Sequence, residues 1–170
     1  MLDISPDEYK SENILSQKEL LQKLEDLKKQ GKKIGFCSGS FDLLHPGHIT
    51  HLISAKKMCD ILVVSIARDS FSSKKHCARG RPIFSHDMRA FMIGNLKPVD
   101  FVILDDGQPE ILEIVKPDVY IKGKDYADEA VPNIIAQKRM MEEMGGKIDY
   151  TNDEKLSTTD IIRYIKEEVD

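Results

Sequence analysis

Cys37-Ser38-Gly39-Ser40-Phe41-Asp42-Leu43-Leu44-His45-Pro46-Gly47-His48 is the stretch in which an apolar strand gives way to a helix. Lys33 to Cys37 reads as a short buried strand, and beyond Pro46 the apolar residues Ile49, Leu52 and Ile53 fall at helical spacing. Proline suits the first helical turn, where the N–H it lacks would have had no partner. A strand that enters a helix through a glycine turn leaves free backbone N–H groups and the positive end of the helix dipole facing outward, a setting for phosphate. His45 and His48 share one face of that first turn. Paired imidazoles beside unpaired amides make a site for a polyanion.

On the N-terminal side, Ser16-Gln17-Lys18-Glu19 has the spacing of a capping box, and Leu20, Leu21, Leu24 and Leu27 form a stripe that stops at Gly31. Residues 1–15 show no periodicity and read as an arm ahead of a domain at 16–170. After the motif helix, which runs to about Met58, Ile61 to Ala67 is a run rich in β-branched residues, of the kind found in a parallel strand buried on both faces. Arg68 to Arg81 then reads as a basic loop, gathering Arg68, Lys74, Lys75, His76, Arg79 and Arg81 against Asp69 alone. Ser85 caps a helix with Met88, Phe91, Met92 and Leu96 inward. Phe101 to Leu104, Val119 to Lys122 and Lys147 to Tyr150 are strands, and the helices Glu110 to Val115 and Asn133 to Met144 separate them. Ser157-Thr158-Thr159-Asp160 opens a last helix. The alternation predicts an α/β fold: one doubly wound, mainly parallel five-stranded sheet with an extra N-terminal helix, and ligands beyond the carboxyl ends of its strands.

At 170 residues and 41% hydrophobic, the chain is long enough to bury a full core. Cys37, Cys59 and Cys77 are odd in number and lack CxxC spacing, which argues against a disulfide framework and a zinc site. No 18-residue apolar run exists, and Met1 to Asp7 lacks the basic and apolar regions of a signal peptide, so the expectation is a cytoplasmic protein with no membrane partner. A net charge of −4 and 6% aromatics speak against a nucleic-acid partner.

Four groups converge under this topology. The motif is the first; Lys75, with Lys74 and Arg81, supplies counter-charge to phosphates from the basic stretch. Arg89 faces the same end from the first turn of its helix. The hydroxyls of Ser157, Thr158 and Thr159 sit at a second helix N-terminus. Beside these, Gly123 permits close backbone approach after the fourth strand, where Lys122, Asp125 and Tyr126 are placed to read a base or a sugar. There is no convincing nucleophile and base pair. A phosphomonoester is already nucleophilic near neutral pH, its second pKa being about 6, and in-line attack on an α-phosphorus needs positioning and positive charge rather than covalent catalysis.

Gly39, Phe41, Asp42, His45, Gly47 and His48 match the GxFDxxHxGH signature, and the chain resembles the cytidylyltransferase-like nucleotidyltransferases. The resemblance implies a Rossmann-like fold in which the motif, Ser40 included, binds a nucleotide triphosphate and His45 and His48 stabilise charge passing through the α-phosphate. It implies that Lys75 and Arg89 hold phosphates, that Ser157 to Thr159 bind the distal ones, and that Lys122, Gly123 and Asp125 complete the nucleotide site. Asp69, Lys74, Arg81 and Tyr126 are expected on the acceptor. Mg²⁺ is expected to arrive with the nucleotide, held by phosphate oxygens and water, so no metal ligand is assigned to the protein.

Lys116 to Tyr126 together with Ser157 to Ile162 is most similar to the adenylyltransferase domain of bacterial ADP-heptose synthases, which implies ATP and heptose 1-phosphate as substrates and a separate kinase to make the latter, since no kinase domain precedes this one. Lys124 stands where that group has a second glycine, and the basic stretch lacks its Leu-Lys-Gly spacing. Glycerol-3-phosphate cytidylyltransferases, using CTP, and archaeal FAD synthetases share parts of the pattern, and a non-catalytic nucleotide sensor would use the same pocket. Dimers are common among related enzymes, so a homodimer is expected.

Overall fold

The computed structural model describes residues 9–76, 80–106, 110–127, 132–154 and 156–169, with the backbone alone at 73–76, 132 and 133. Helix α1 (Gln17–Lys29) precedes β1 (Ile34–Gly39), α2 (Pro46–Lys56), β2 (Ile61–Ala67), α3 (Asp69–His76) and α4 (His86–Gly94). Then come β3 (Phe101–Asp105), α5 (Glu110–Val115), β4 (Val119–Gly123), α6 (Pro132–Glu143), β5 (Lys147–Thr151) and α7 (Thr158–Glu168). The five strands are all parallel in the order β3-β2-β1-β4-β5. Chain direction across the sheet therefore reverses between β1 and β4. The quoted motif leaves β1 at that switch point, where an α/β sheet opens a crevice for ligand.

Two apolar layers hold the sheet. Leu52 and Ala55 of α2 and Ala90 and Ile93 of α4 cover one face, against Cys37, Leu62, Val64, Ile66, Val102, Val119 and Ile121. Leu20 and Leu24 of α1, Ile111, Leu112 and Val115 of α5 and Met141 of α6 cover the other, against Ile34, Phe36, Val63, Ile103 and Tyr120. β2 is buried along nearly its whole length, as its mainly apolar run requires, and Ser65 within that run is buried with it. The capping box at Ser16 and Glu19 forms as its spacing predicts.

Asn13 to Leu15, from the expected arm, lie along β3: Leu15 N–H donates to Val102 O at 2.9 Å and Val102 N–H to Asn13 O at 2.8 Å. This covers an edge strand. The largest departure from the sequence reading is at Arg68 to Arg81, where Asp69 to His76 form helix α3 instead of a loop. That segment is short and polar and carries no apolar stripe, so hydrophobic periodicity gives no sign of it. Ser72, fully buried, turns its hydroxyl to Ala67 O at 3.3 Å and Ser40 Oγ at 3.1 Å.

Candidate active site

The turn from β1 into α2 is strained. Phe41 and Leu43 adopt φ of 48° and 51°, left-handed values that bulky residues avoid. What holds them is a set of contacts to Asp42. Its Oδ1 accepts from the N–H groups of Ile83 at 2.8 Å and Phe84 at 3.3 Å, and its Oδ2 pairs with Arg81 Nε at 3.1 Å. Its carbonyl accepts from Thr158 Oγ1 at 2.7 Å, across 116 positions of sequence. The motif and the start of α7 therefore meet. Arg81 extends the junction with a 3.5 Å contact from its guanidinium to Thr159 Oγ1.

Inside that frame the rings of His45 and His48 stack at 3.7 Å between centroids, 22° from parallel. Phe41 backs His48 at 5.3 Å. Gly47 makes room for this, since a Cβ there would stand 3.1 Å from the His45 ring and from Leu156 Cβ. A side chain at Gly39 would meet the Phe41 ring at 3.0 Å. Both ring nitrogens of His45 and Nδ1 of His48 are buried with no hydrogen-bond partner. Such groups cost free energy in an isolated fold, which marks them as awaiting a ligand. They lie beside the first turn of α2, whose N-cap, His45, makes no side-chain cap.

Burial, reinforced by His45 and His51 and opposed by Asp42, takes the His48 pKa from its ordinary 6.5 down to about 4. Burial lowers His45 as well. Both rings are therefore neutral at pH 7, and an approaching polyanion would favour their protonation. A stability consequence follows. Between pH 6.5 and 4 the unfolded chain binds the proton that folded His48 refuses, so this contribution is complete above 6.5 and lost as pH falls toward 4. Urea unfolding across that range is expected to show stability declining with acid, and His48→Phe is expected to flatten the slope.

Arg89 and Asp69 call for correction. Arg89 is wholly buried, and its guanidinium donates to Phe84 O at 3.1 Å, Ala67 O and Asp69 Oδ1 at 2.8 and 2.7 Å, and Ser40 O. It braces the floor of the motif rather than facing a phosphate. Asp69 faces inward too, accepting from Arg89 and from His86 Nδ1 at 2.8 Å. Burial alone would raise its carboxyl, but the His86 and Arg89 hydrogen bonds outweigh that and hold it below the usual range. An arginine in a first helical turn looks the same in sequence whether it points in or out. Arg81 is likewise committed to Asp42, with a side chain only 12% exposed. Lys74 and Lys75 lie on α3, and their side chains are outside the described residues.

Ser157 caps α7, accepting from Asp160 N–H at 3.1 Å, and Thr158 is bound to Asp42. Two of the three hydroxyls thus hold the helix in place. The cap takes up the Asp160 N–H, while the N–H groups of Thr158 and Thr159 stand at a helix end that leaves such groups without intrahelical acceptors. On the β4 side, Tyr120 hydroxyl meets Ser38 Oγ at 2.5 Å and receives Lys122 Nζ at 3.0 Å. Lys122 also lies over the Tyr126 ring at 5.2 Å, and Tyr126 is 41% exposed. The Asp125 carboxylate occupies the space a Cβ on Gly123 would need, 2.6 Å away. His51, one further step along α2, was missed from the sequence; its Nδ1 meets Thr151 Oγ1 at 2.8 Å. The signal was the continuation of the His45 and His48 spacing by another three residues.

Comparison with known proteins decides what this architecture belongs to. The family described as Cytidylyltransferase-like matches residues 36–164, from the middle of β1 into α7. The chain belongs to that family of nucleotidyltransferases. The Bifunctional protein HldE of a Nitratiruptor species is 38% identical to this nucleotidyltransferase over 133 residues, 76% of the chain and 28% of the relative. The protein of that name from Campylobacter jejuni subsp. doylei is 36% identical over 98% of the chain and 36% of its own length. The chain thus spans about a third of the curated relatives it matches. A crystal structure of the lipopolysaccharide core biosynthesis protein from Thermoplasma volcanium GSS1 aligns with TM-score 0.59 and 30% identity, over 75% of this chain and all of that one. A pantoate-beta-alanine ligase from Francisella tularensis, solved with beta-gamma ATP and beta-alanine, shares the fold at TM-score 0.59 and 19% identity, over 92% and 77% of the two chains.

This family typically uses Mg²⁺. The motif's own carboxylate, Asp42, has both oxygens engaged, by Arg81 and by two backbone amides. Among the described residues no group of three His, Cys, Asp or Glu stands ready to hold a metal. No described helix is long and apolar enough to cross a membrane.

Proposed function

We propose that the protein transfers AMP from ATP to a sugar phosphate of the heptose 1-phosphate type, forming a nucleoside diphosphate sugar and releasing pyrophosphate. The observation that carries this reading is the stacked His45 and His48 pair, with its unpartnered ring nitrogens, held beside a junction of two helix N-termini by the Thr158 to Asp42 bond. Relatives named for lipopolysaccharide core biosynthesis and the HldE likeness over most of the chain support a sugar phosphate as acceptor.

In this reading an acceptor phosphate oxygen attacks the α-phosphorus in line. A new P–O bond forms as the bond to the bridging oxygen of the β-phosphate breaks, and the electron pair leaves on pyrophosphate. His45 and His48 donate hydrogen bonds to the non-bridging α-phosphate oxygens as charge develops there. The N–H of Gly47 in α2 and those of Thr158 and Thr159 in α7 take the β- and γ-phosphates. Lys122, Asp125 and Tyr126 hold the nucleoside, and the α3 lysines, Lys74 and Lys75, hold the acceptor phosphate. The active form is a homodimer.

Crossing ATP, CTP, GTP and UTP with a panel of sugar, polyol and flavin phosphates, and reading pyrophosphate, tests the proposal. The expected result is release with ATP and an aldose 1-phosphate exceeding every other pair by at least tenfold. Preference for CTP with glycerol 3-phosphate, or for ATP with a flavin phosphate, would overturn the assignment of substrate, and nucleotide binding without release would overturn that of chemistry.

A further inference from the structure

Helix α7 is poorly anchored by apolar packing. Thr158 is its one buried residue among those described, while Tyr164, Ile165 and Val169 beyond it are 62%, 49% and 57% exposed. It follows β5, an edge strand with β4 as its neighbour in the sheet. Yet its first turn must stand at a fixed distance from the imidazole pair if one triphosphate is to touch both. Something other than hydrophobic burial has to set that distance.

The polar groups on α2 do so. His45, His48, His51 and Ser54 recur every third residue, a spacing that steps round a helix by about 60° each time, so that the first pair faces the motif and the later pair reaches round to β5. The upper pair has no protein partner for most of its ring nitrogens. The lower pair is stitched to the chain that leads into α7. His51 Nδ1 meets Thr151 Oγ1 at 2.8 Å, at the last residue of β5, and Ser54 Oγ donates to Asp153 Oδ1 at 2.9 Å, two residues on. Thr151 is buried, and burial lowers the pKa of the His51 imidazole against the opposing pull of Asp153 and Asp125. From Asp153 only a few residues remain before Thr158 is tied to Asp42 and Leu156 abuts Gly47. The connection is therefore pinned at both ends to the same helix and its motif.

We propose that His51 and Ser54 are positioning residues that fix the connection between β5 and α7, and through it the phosphate-facing end of α7, relative to His45 and His48. The proposal rests on the triphosphate reading only for its effect on binding; its effect on order does not. Neither side chain touches substrate. Each acts by making one hydrogen bond to a segment that would otherwise swing about the edge of the sheet.

Two measurements on the purified chain test this. The first is amide hydrogen exchange at Asp160 and Ile161, whose N–H groups donate to Ser157, without ligand, in the double variant His51→Leu with Ser54→Ala. Leucine keeps apolar bulk and removes the hydrogen bond, and exchange there is expected to quicken by about tenfold or more. In His51→Asn, whose amide can replace the Nδ1 contact, it is expected to stay within about threefold of the parent. The second is calorimetric affinity for inorganic tripolyphosphate, expected to fall about tenfold in the double variant and to recover in the asparagine variant. Unchanged exchange in the double variant would overturn the proposal, as would faster exchange with unchanged tripolyphosphate affinity, or a loss that asparagine does not rescue. A parent protein with no affinity for tripolyphosphate would overturn the triphosphate reading instead, and the exchange data would still decide whether the pins order α7.

Discussion

His48→Ala is expected to lower the rate of pyrophosphate release about a thousandfold, the scale on which removing one preorganised donor to a developing anion acts. His48 lies in the middle of the site, between the His45 ring at 3.7 Å and the Phe41 ring at 5.3 Å, and its Nδ1 has no protein partner to lose. It belongs to neither apolar layer of the sheet, so the folded state is expected to survive the change. Its thermal midpoint should stay at or above that of the parent, because a buried polar ring without a partner is removed. Steady-state pyrophosphate release and a melting curve by circular dichroism check the two halves of this expectation. Near-normal release would remove His48 from the chemistry.

Arg89→Met should do the reverse, striking the fold first. The guanidinium joins the carbonyls of Ser40, Phe84 and Ala67 to the Asp69 carboxylate in the interior. Methionine fills much of the volume and none of the hydrogen bonds. Breaking a buried charged network by removing one partner costs about 3 to 5 kcal/mol, and for a chain of this size each kcal/mol shifts the midpoint by roughly 2 to 4 °C. A loss of about 10 °C is expected on melting. Arg89→Lys is expected to recover little, since one ammonium cannot span acceptors arranged for a planar fork. A midpoint within about 2 °C of the parent in Arg89→Met would show that the network is dispensable.

The contrast between these residues shows what a sequence can reveal. The order of strands and helices was legible because each buried element writes its environment into its apolar pattern. Ile61 to Ala67 is apolar but for Ser65 because β2 is covered on both faces, and Ser16 with Glu19 announces the start of α1 by chemistry local to the turn. The imidazole pair was legible for a related reason, since two histidines one helical turn apart after a glycine-containing turn have few structural uses. Polar residues that work by long-range contact leave no such trace. Arg89 and Asp69 looked like ligands for phosphate or acceptor and turned out to bind each other, across 20 positions. His51 meets Thr151 across 100 positions, and nothing near either one predicts the meeting. Helix α3 escaped because a short polar segment without an apolar stripe has no periodicity to declare.

The left-handed turn at Phe41 and Leu43 and the unanswered nitrogens beside it have a consequence for how this protein can change over time. Both features are liabilities in the absence of cargo, so drift toward a sturdier chain would erode them first, relaxing the bend and greasing the cavity. The two packed faces of the sheet must carry that handicap. A lineage that no longer needed the reaction would be recognisable by an untouched interior and a comfortable, silent loop.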